Sequence, residues 1–148
     1  MMNSSILSLG EYERYRQLCH GVKDGSERAI SDAAVLLSAL TPSDSTLVPL
    51  PSHHGKATYM LDIALQIAKL KGCTVDPCIV SGERAKLYDI KMAGGQINLN
   101  FRLTHTPRGN IYLLDNCVDT GMTYRAASRL LGLVPIITIA KTQERYHK

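Results

Sequence analysis

The chain has 148 residues, 45% apolar and 20% charged, enough for one domain with a core that needs no disulfide or metal to hold it. Seven tyrosines, one phenylalanine and no tryptophan are too few for a stacking platform that would hold single-stranded nucleic acid. The longest mainly apolar stretch, residues 133–140, is far short of the about 20 that a membrane helix requires, and it contains Pro135 and Thr138.

Residues 1–10 combine neither a basic segment nor a continuous apolar stretch, so no secretory signal is expected and the location expected is cytoplasmic. Cys19, Cys73, Cys78 and Cys117 form no CxxC pair and have no histidine at zinc-ligand spacing; in a reducing compartment they are expected as thiols. A net charge of +4 suits an anionic partner, and a small polyphosphate satisfies it as well as DNA does.

Along the chain, residues 7–19 have the composition of a first helix, with Tyr12, Tyr15 and Cys19 at near-helical spacing, and glycines at 21 and 25 break it. A second helix is predicted to start at Asp24 or Ser26 and to bury Ala29, Ala33, Leu36, Leu37 and Leu40. A short apolar strand, LVPLP, then runs into the polar loop SHHGKAT. A third helix spans 58–71 with Met60, Ile63, Ala64, Ile67, Ala68 and Leu70 as its buried stripe and Gly72 as its C-terminal cap.

Residues 73–80 read as a strand. The stretch 81–107 is rich in glycine, asparagine and charge, the pattern of a functional lid or of a hairpin with 97–101 as one edge strand. A strand at 111–114, a helix at 123–131 and a last strand at 134–140 complete the order. Apolar strands alternating with helices predict a parallel sheet covered on both faces, an α/β fold of three layers.

The chemistry concentrates in IYLLDNCVDTGMT, residues 111–123. A strand ending in an acid, a short loop, and Thr-Gly-x-Thr opening a helix place free backbone N–H groups and a partial positive charge where a phosphate can sit. Gly121 allows close approach, and Thr120 and Thr123 add hydroxyl donors. Asp115 stands at the carboxyl end of its strand, where open α/β sheets receive ligands, and its carboxylate can accept from sugar hydroxyls or hold a divalent ion.

This stretch resembles the phosphoribosyl-pyrophosphate motif of the type I phosphoribosyltransferases: four apolar residues, two acids, two mostly apolar residues, then Asp or Thr, Thr or Ser, Gly, any residue and Thr. The resemblance implies a single phosphoribosyltransferase-like domain over 1–148, with a flexible hood at about 81–107. Asp115 and Asn116 would face the ribose hydroxyls, Cys117 and Val118 would lead into the loop, and Asp119, Thr120, Gly121, Met122 and Thr123 would wrap the 5′-phosphate. Asp119 and Asp115 are the catalytic candidates, and Mg2+ would enter with phosphoribosyl pyrophosphate, Asp115 reaching it indirectly. One departure stands out, since the second acid of the pair is the neutral Asn116.

Two further stretches extend the likeness. LVPLPSH, residues 47–53, resembles the first core strand of the ComF-like, amidophosphoribosyltransferase-like branch, in which VPVP leads to a basic loop facing pyrophosphate. Residues 20–25 and 138–142 resemble that branch's entry segment and last strand. By resemblance, Ser52, His53, His54 and Lys56 line the pyrophosphate loop, although an exposed turn has the same composition. Arg84, Lys86, Lys91 and Arg102 would be basic groups of the hood or, equally, a solvated charged face. Cys117 is read as a packed thiol, and His105 and His147 have no partner that sequence can name.

The function implied is transfer of phosphoribose to a nitrogen acceptor with release of pyrophosphate. The alternative is a non-catalytic module that senses the donor or a nucleotide, or one associated with DNA processing, as in the ComF-like branch. The partners implied are phosphoribosyl pyrophosphate or a nucleotide, with nucleic acid and a second copy of the chain as further candidates, and no membrane.

Overall fold

The computed structural model describes residues 6–51, 58–81, 101–118 and 121–142. Its elements, in chain order, are β1 (Ile6–Glu11), α1 (Tyr12–Lys23), α2 (Glu27–Ser38), β2 (Ser45–Pro49), α3 (Thr58–Lys71), β3 (Thr74–Val75), β4 (Ile79–Ser81), β5 (Phe101–Leu103), β6 (Asn110–Val118), α4 (Met122–Leu131) and β7 (Ile136–Lys141). The fold is α/β. A five-stranded sheet in the order β1-β7-β6-β2-β3 is parallel at every described pairing, and β4 and β5 form a separate antiparallel pair.

Adjacent residues of each central strand point to opposite faces, and the two resulting surfaces seed two cores. Leu47, Leu114 and Ile137 pack with α1, α2 and α3, including Val22, Leu37 and Ile63. Val48, Leu113 and Ile136 pack with Tyr124 and Ala127 of α4 and with Cys78 and Ile79 beside the hairpin. Helices therefore cover both faces.

Several expectations change. The first predicted helix is in part a strand: Leu7 and Leu9 alternate with Ser8 and Gly10, and residues 6–11 pair in register with 136–141. The helix begins at Tyr12 and continues through His20 and Gly21 to Lys23. Gly21 serves packing rather than termination, because a Cβ there would stand 2.7 Å from that of Ala29 on α2. In α2, capped by the Ser26 hydroxyl, Ile30 and Ala34 are buried and Leu36 is exposed, so the buried stripe is rotated from the predicted one. Leu70 of α3 also faces solvent. The predicted strand at 73–80 is two pieces in two sheets. The last strand starts at Ile136, after Pro135 has supplied its carbonyl to Leu113.

Pro49 is tolerated in a central strand for a geometric reason. Leu50 donates to Leu114, and Leu47 accepts from Asp76, so the missing N–H of Pro49 would point toward β3, which has already ended at Val75.

From β2 the chain passes outward through α3 to β3, whereas β6, on the other side of β2, leads through α4 to β7. The order thus reverses between β2 and β6, and the crevice beyond their carboxyl ends is where such sheets bind ligands.

Candidate functional site

β6 runs four residues beyond its predicted end, because Asp115, Cys117 and Val118 continue the ladder against Thr138, Ala140 and Lys141 of β7. The carboxyl end of β6 is thereby held to β7, its pairing with β2 having ended at Leu114. Asp115 is part-buried and accepts from the Asn116 N–H at 2.8 Å. Burial pushes its carboxyl up to about 7, against the lowering effect of that N–H. The same charge bears on two groups from other elements. Burial first, and then Asp115, push the Cys19 thiol of α1 up to about 11 and raise the Tyr59 phenol in the first turn of α3. α1, α3 and β6 therefore converge at Asp115.

Asn116 is committed differently. Its Nδ2 donates to the Cys19 carbonyl at 3.0 Å, across 97 residues of sequence, and its main-chain oxygen accepts from the Thr138 hydroxyl at 2.8 Å. Its Oδ1 is buried and has no hydrogen-bond partner among the described residues. An aspartate at this position would have no proton to give the Cys19 carbonyl, so the neutral residue has a structural reason. Cys117 packs against the core on the α1–α3 side, and Val118 is 3% exposed in the opposite core.

Gly121 adopts φ 83°, ψ 3°, a left-handed conformation that favours glycine, and its carbonyl accepts from Arg125 to begin α4. Gly121 has no side chain with which to cap this terminus, and the first turn of α4 holds no acid, so the partial positive charge of the helix end suits an anion. Met122 and Thr123 are half-buried in that turn. The helix is fixed from below by Tyr124, which is 1% exposed and donates to the Val134 carbonyl at 2.7 Å.

The structure thus gathers Asp115, Asn116, Cys117, Val118, Gly121, Met122 and Thr123 at one end of the sheet. Asp119 and Thr120, the Ser52, His53, His54 and Lys56 loop, and Arg84, Lys86 and Lys91 lie outside the described residues. Arg102 is exposed on β5, between the half-buried Phe101 and Leu103 that pack into the α4 core.

Sequence reasoning missed Tyr59, Cys19 and Lys141, the last paired with Val118 at the mouth of the loop. Only the position of Tyr59, just after the loop leaving β2, is a local signal. His105 also gains partners: its Nε2 lies 2.7 and 3.0 Å from the Asp76 carboxylate oxygens and its Nδ1 3.0 Å from the Thr104 hydroxyl. This clasp closes the base of the β4–β5 hairpin.

No group of three or more His, Cys, Asp or Glu among the described residues is placed to hold a metal ion. The Asp115 carboxylate offers oxygen donors of the kind a hard cation takes. None of the four cysteines is in a disulfide, and no described helix is long and apolar enough to cross a membrane. No family model matches the sequence, and no curated protein matches it either.

Proposed function

We infer that the chain is a phosphoribosyltransferase-like protein that binds phosphoribosyl pyrophosphate in the crevice between β2 and β6 and transfers phosphoribose to a nitrogen acceptor. The observation that carries this reading is the junction at the sheet's switch point: Asp115 near the end of β6, then left-handed Gly121, then the start of α4, whose first turn holds no acid. The likeness of residues 111–123 to the phosphoribosyl-pyrophosphate motif gives that geometry its substrate.

In this reading the first turn of α4 holds the 5′-phosphate, with Thr123 adding a hydroxyl. Deprotonated Asp115 accepts from the ribose hydroxyls. Asp115 would help to hold magnesium that enters with the diphosphate, and the ion would supply positive charge to offset that of the leaving group. The acceptor nitrogen forms a bond to C1′ as the C1′–O bond to pyrophosphate breaks, and the nitrogen's proton passes to solvent or a nearby base. The protein's share is positioning and charge stabilisation rather than covalent chemistry.

A second reading, a donor sensor without turnover, is favoured by one observation: Asn116 spends its amide nitrogen on α1 rather than on the crevice. Magnesium-dependent release of pyrophosphate, assayed against purine and pyrimidine bases and ammonia, separates the two. Acceptor-dependent release supports the transferase. Tight binding of the donor with no release for any acceptor supports the sensor, and failure to bind the donor removes both.

A further inference from the structure

The two edges of the five-stranded sheet are finished differently. β3 has two residues and is closed by Asp76 and Pro77, so it offers a neighbour almost no ladder. β1 has six residues, and from Ile6 to Gly10 it holds neither a charge nor a proline, the usual means of blunting an edge. No described strand pairs with its outer side. The helix that follows heads inward, since Cys19 of α1 meets Asn116 on β6, and β7 lies between β6 and β1.

The ladder fixes which groups this edge presents. Leu113 donates to the Pro135 carbonyl, so β7 turns the main chain of Pro135 and Ile137 toward β6 and that of Ile136 and Thr138 toward β1. Leu7 stands opposite Ile137 and bonds inward, which leaves the N–H and C=O of Ile6 and Ser8 pointing away from the sheet. We propose that this edge pairs antiparallel with β1 of a second copy of the chain, about a two-fold axis at Leu7. Around that axis Ile6 of each copy meets the partner's Ser8, and each such pair exchanges both main-chain hydrogen bonds. Leu7 meets its own counterpart in the closer, non-hydrogen-bonded arrangement, where side chains pack best. It is half-buried against the α1–α3 core, so apolar surface continues from one copy to the next.

A second copy is the occupant because the strand complements itself. Ile6 to Gly10 are neutral, so no like charges meet, and a two-fold axis at Leu7 uses both outward-facing residues at once. A contact that joins the same patch on both subunits closes at two copies and leaves this edge covered in each. The crevice between β2 and β6 lies on the far side of β7 from β1, so the pairing stands apart from the ligand reading.

Light scattering on the full chain tests the proposal. Wild type at about 100 µM is expected at twice the 16.3 kDa of one chain. Ser8→Pro removes an outward N–H and spares the bonds to β7, so it is expected at 16.3 kDa with its circular dichroism unchanged. Ser8→Lys, which keeps the N–H and charges the edge, is expected at the same mass and decides the matter where the proline variant does not fold. Under mild oxidation Leu7→Cys is expected to give a covalent dimer well beyond any formed by wild type, because residues opposed in this way lie within disulfide reach. Wild type at 16.3 kDa overturns the proposal. So does a dimer that survives in every folded Ser8 variant, since another surface then holds it. A wild-type dimer whose Leu7→Cys form does not cross-link overturns pairing about Leu7.

Discussion

The body of β6 and its carboxyl end are built to different rules. Leu113 and Leu114 are fully buried, one in each core, and their backbone is paired on both sides. One residue later, Asp115 carries a carboxyl that burial disfavours in its charged form, and Asn116 buries an oxygen without a donor. The first arrangement stabilises the fold, while the second gives up stability to present polar groups at the switch point.

Truncation should break this comparison most severely on the strand side. Leu114→Ala is expected to cost about 2–5 kcal/mol, read as a lower midpoint in chemical denaturation. Asp115→Asn should move stability the other way. Unfolded, this carboxyl releases its proton near 3.8, and folded it keeps it to about 7. The folded state therefore binds more protons between these values, and wild-type stability falls as pH rises through that window. Asp115→Asn is expected to gain roughly 3 kcal/mol over wild type at pH 8 and almost nothing at pH 3.5. A variant that loses stability at pH 8 would show that Asp115 supports the fold. Ligand affinity should have the opposite pH dependence: wild type binds ribose 5-phosphate about tenfold more tightly at pH 8 than at pH 6 if the charged carboxylate is the acceptor, a rise that Asp115→Asn attenuates.

Gly121→Ala is smaller in stability, about 1–2 kcal/mol for the left-handed backbone, and it should cost more in ligand affinity than in folding. His105→Ala removes an exposed hydrogen bond to Asp76 at the base of the hairpin, so at most about 1 kcal/mol is expected, with no change in ligand affinity. A comparable loss of affinity would join the hairpin base to the site.

Much of this was legible because it is local. The 58–71 stripe of Met60, Ile63, Ala64 and Ile67 is strongly periodic, and α3 has those bounds. Gly121 before a helix is likewise a signal within a few residues. β1 was hidden because six residues with Leu7 and Leu9 fit either period until β7 is there to pair with them. The end of β6 was hidden because Asp115 and Asn116 look like loop, and only the ladder to Thr138 and Ala140 keeps them extended. The role of Asn116 was inaccessible for a sharper reason: its partner is the Cys19 carbonyl, and a backbone acceptor 97 residues away leaves no mark on the sequence.

The central claim, that the end of β6 and the start of α4 form one sugar-phosphate site, is tested most directly by calorimetric titration with phosphoribosyl pyrophosphate and Mg2+. Wild type, Asp115→Ala and Gly121→Val would be compared after each is shown to be folded. One-to-one binding by wild type, weakened by more than about tenfold in each variant, is the result predicted. Binding that is equal in all three, or no binding by wild type, contradicts it.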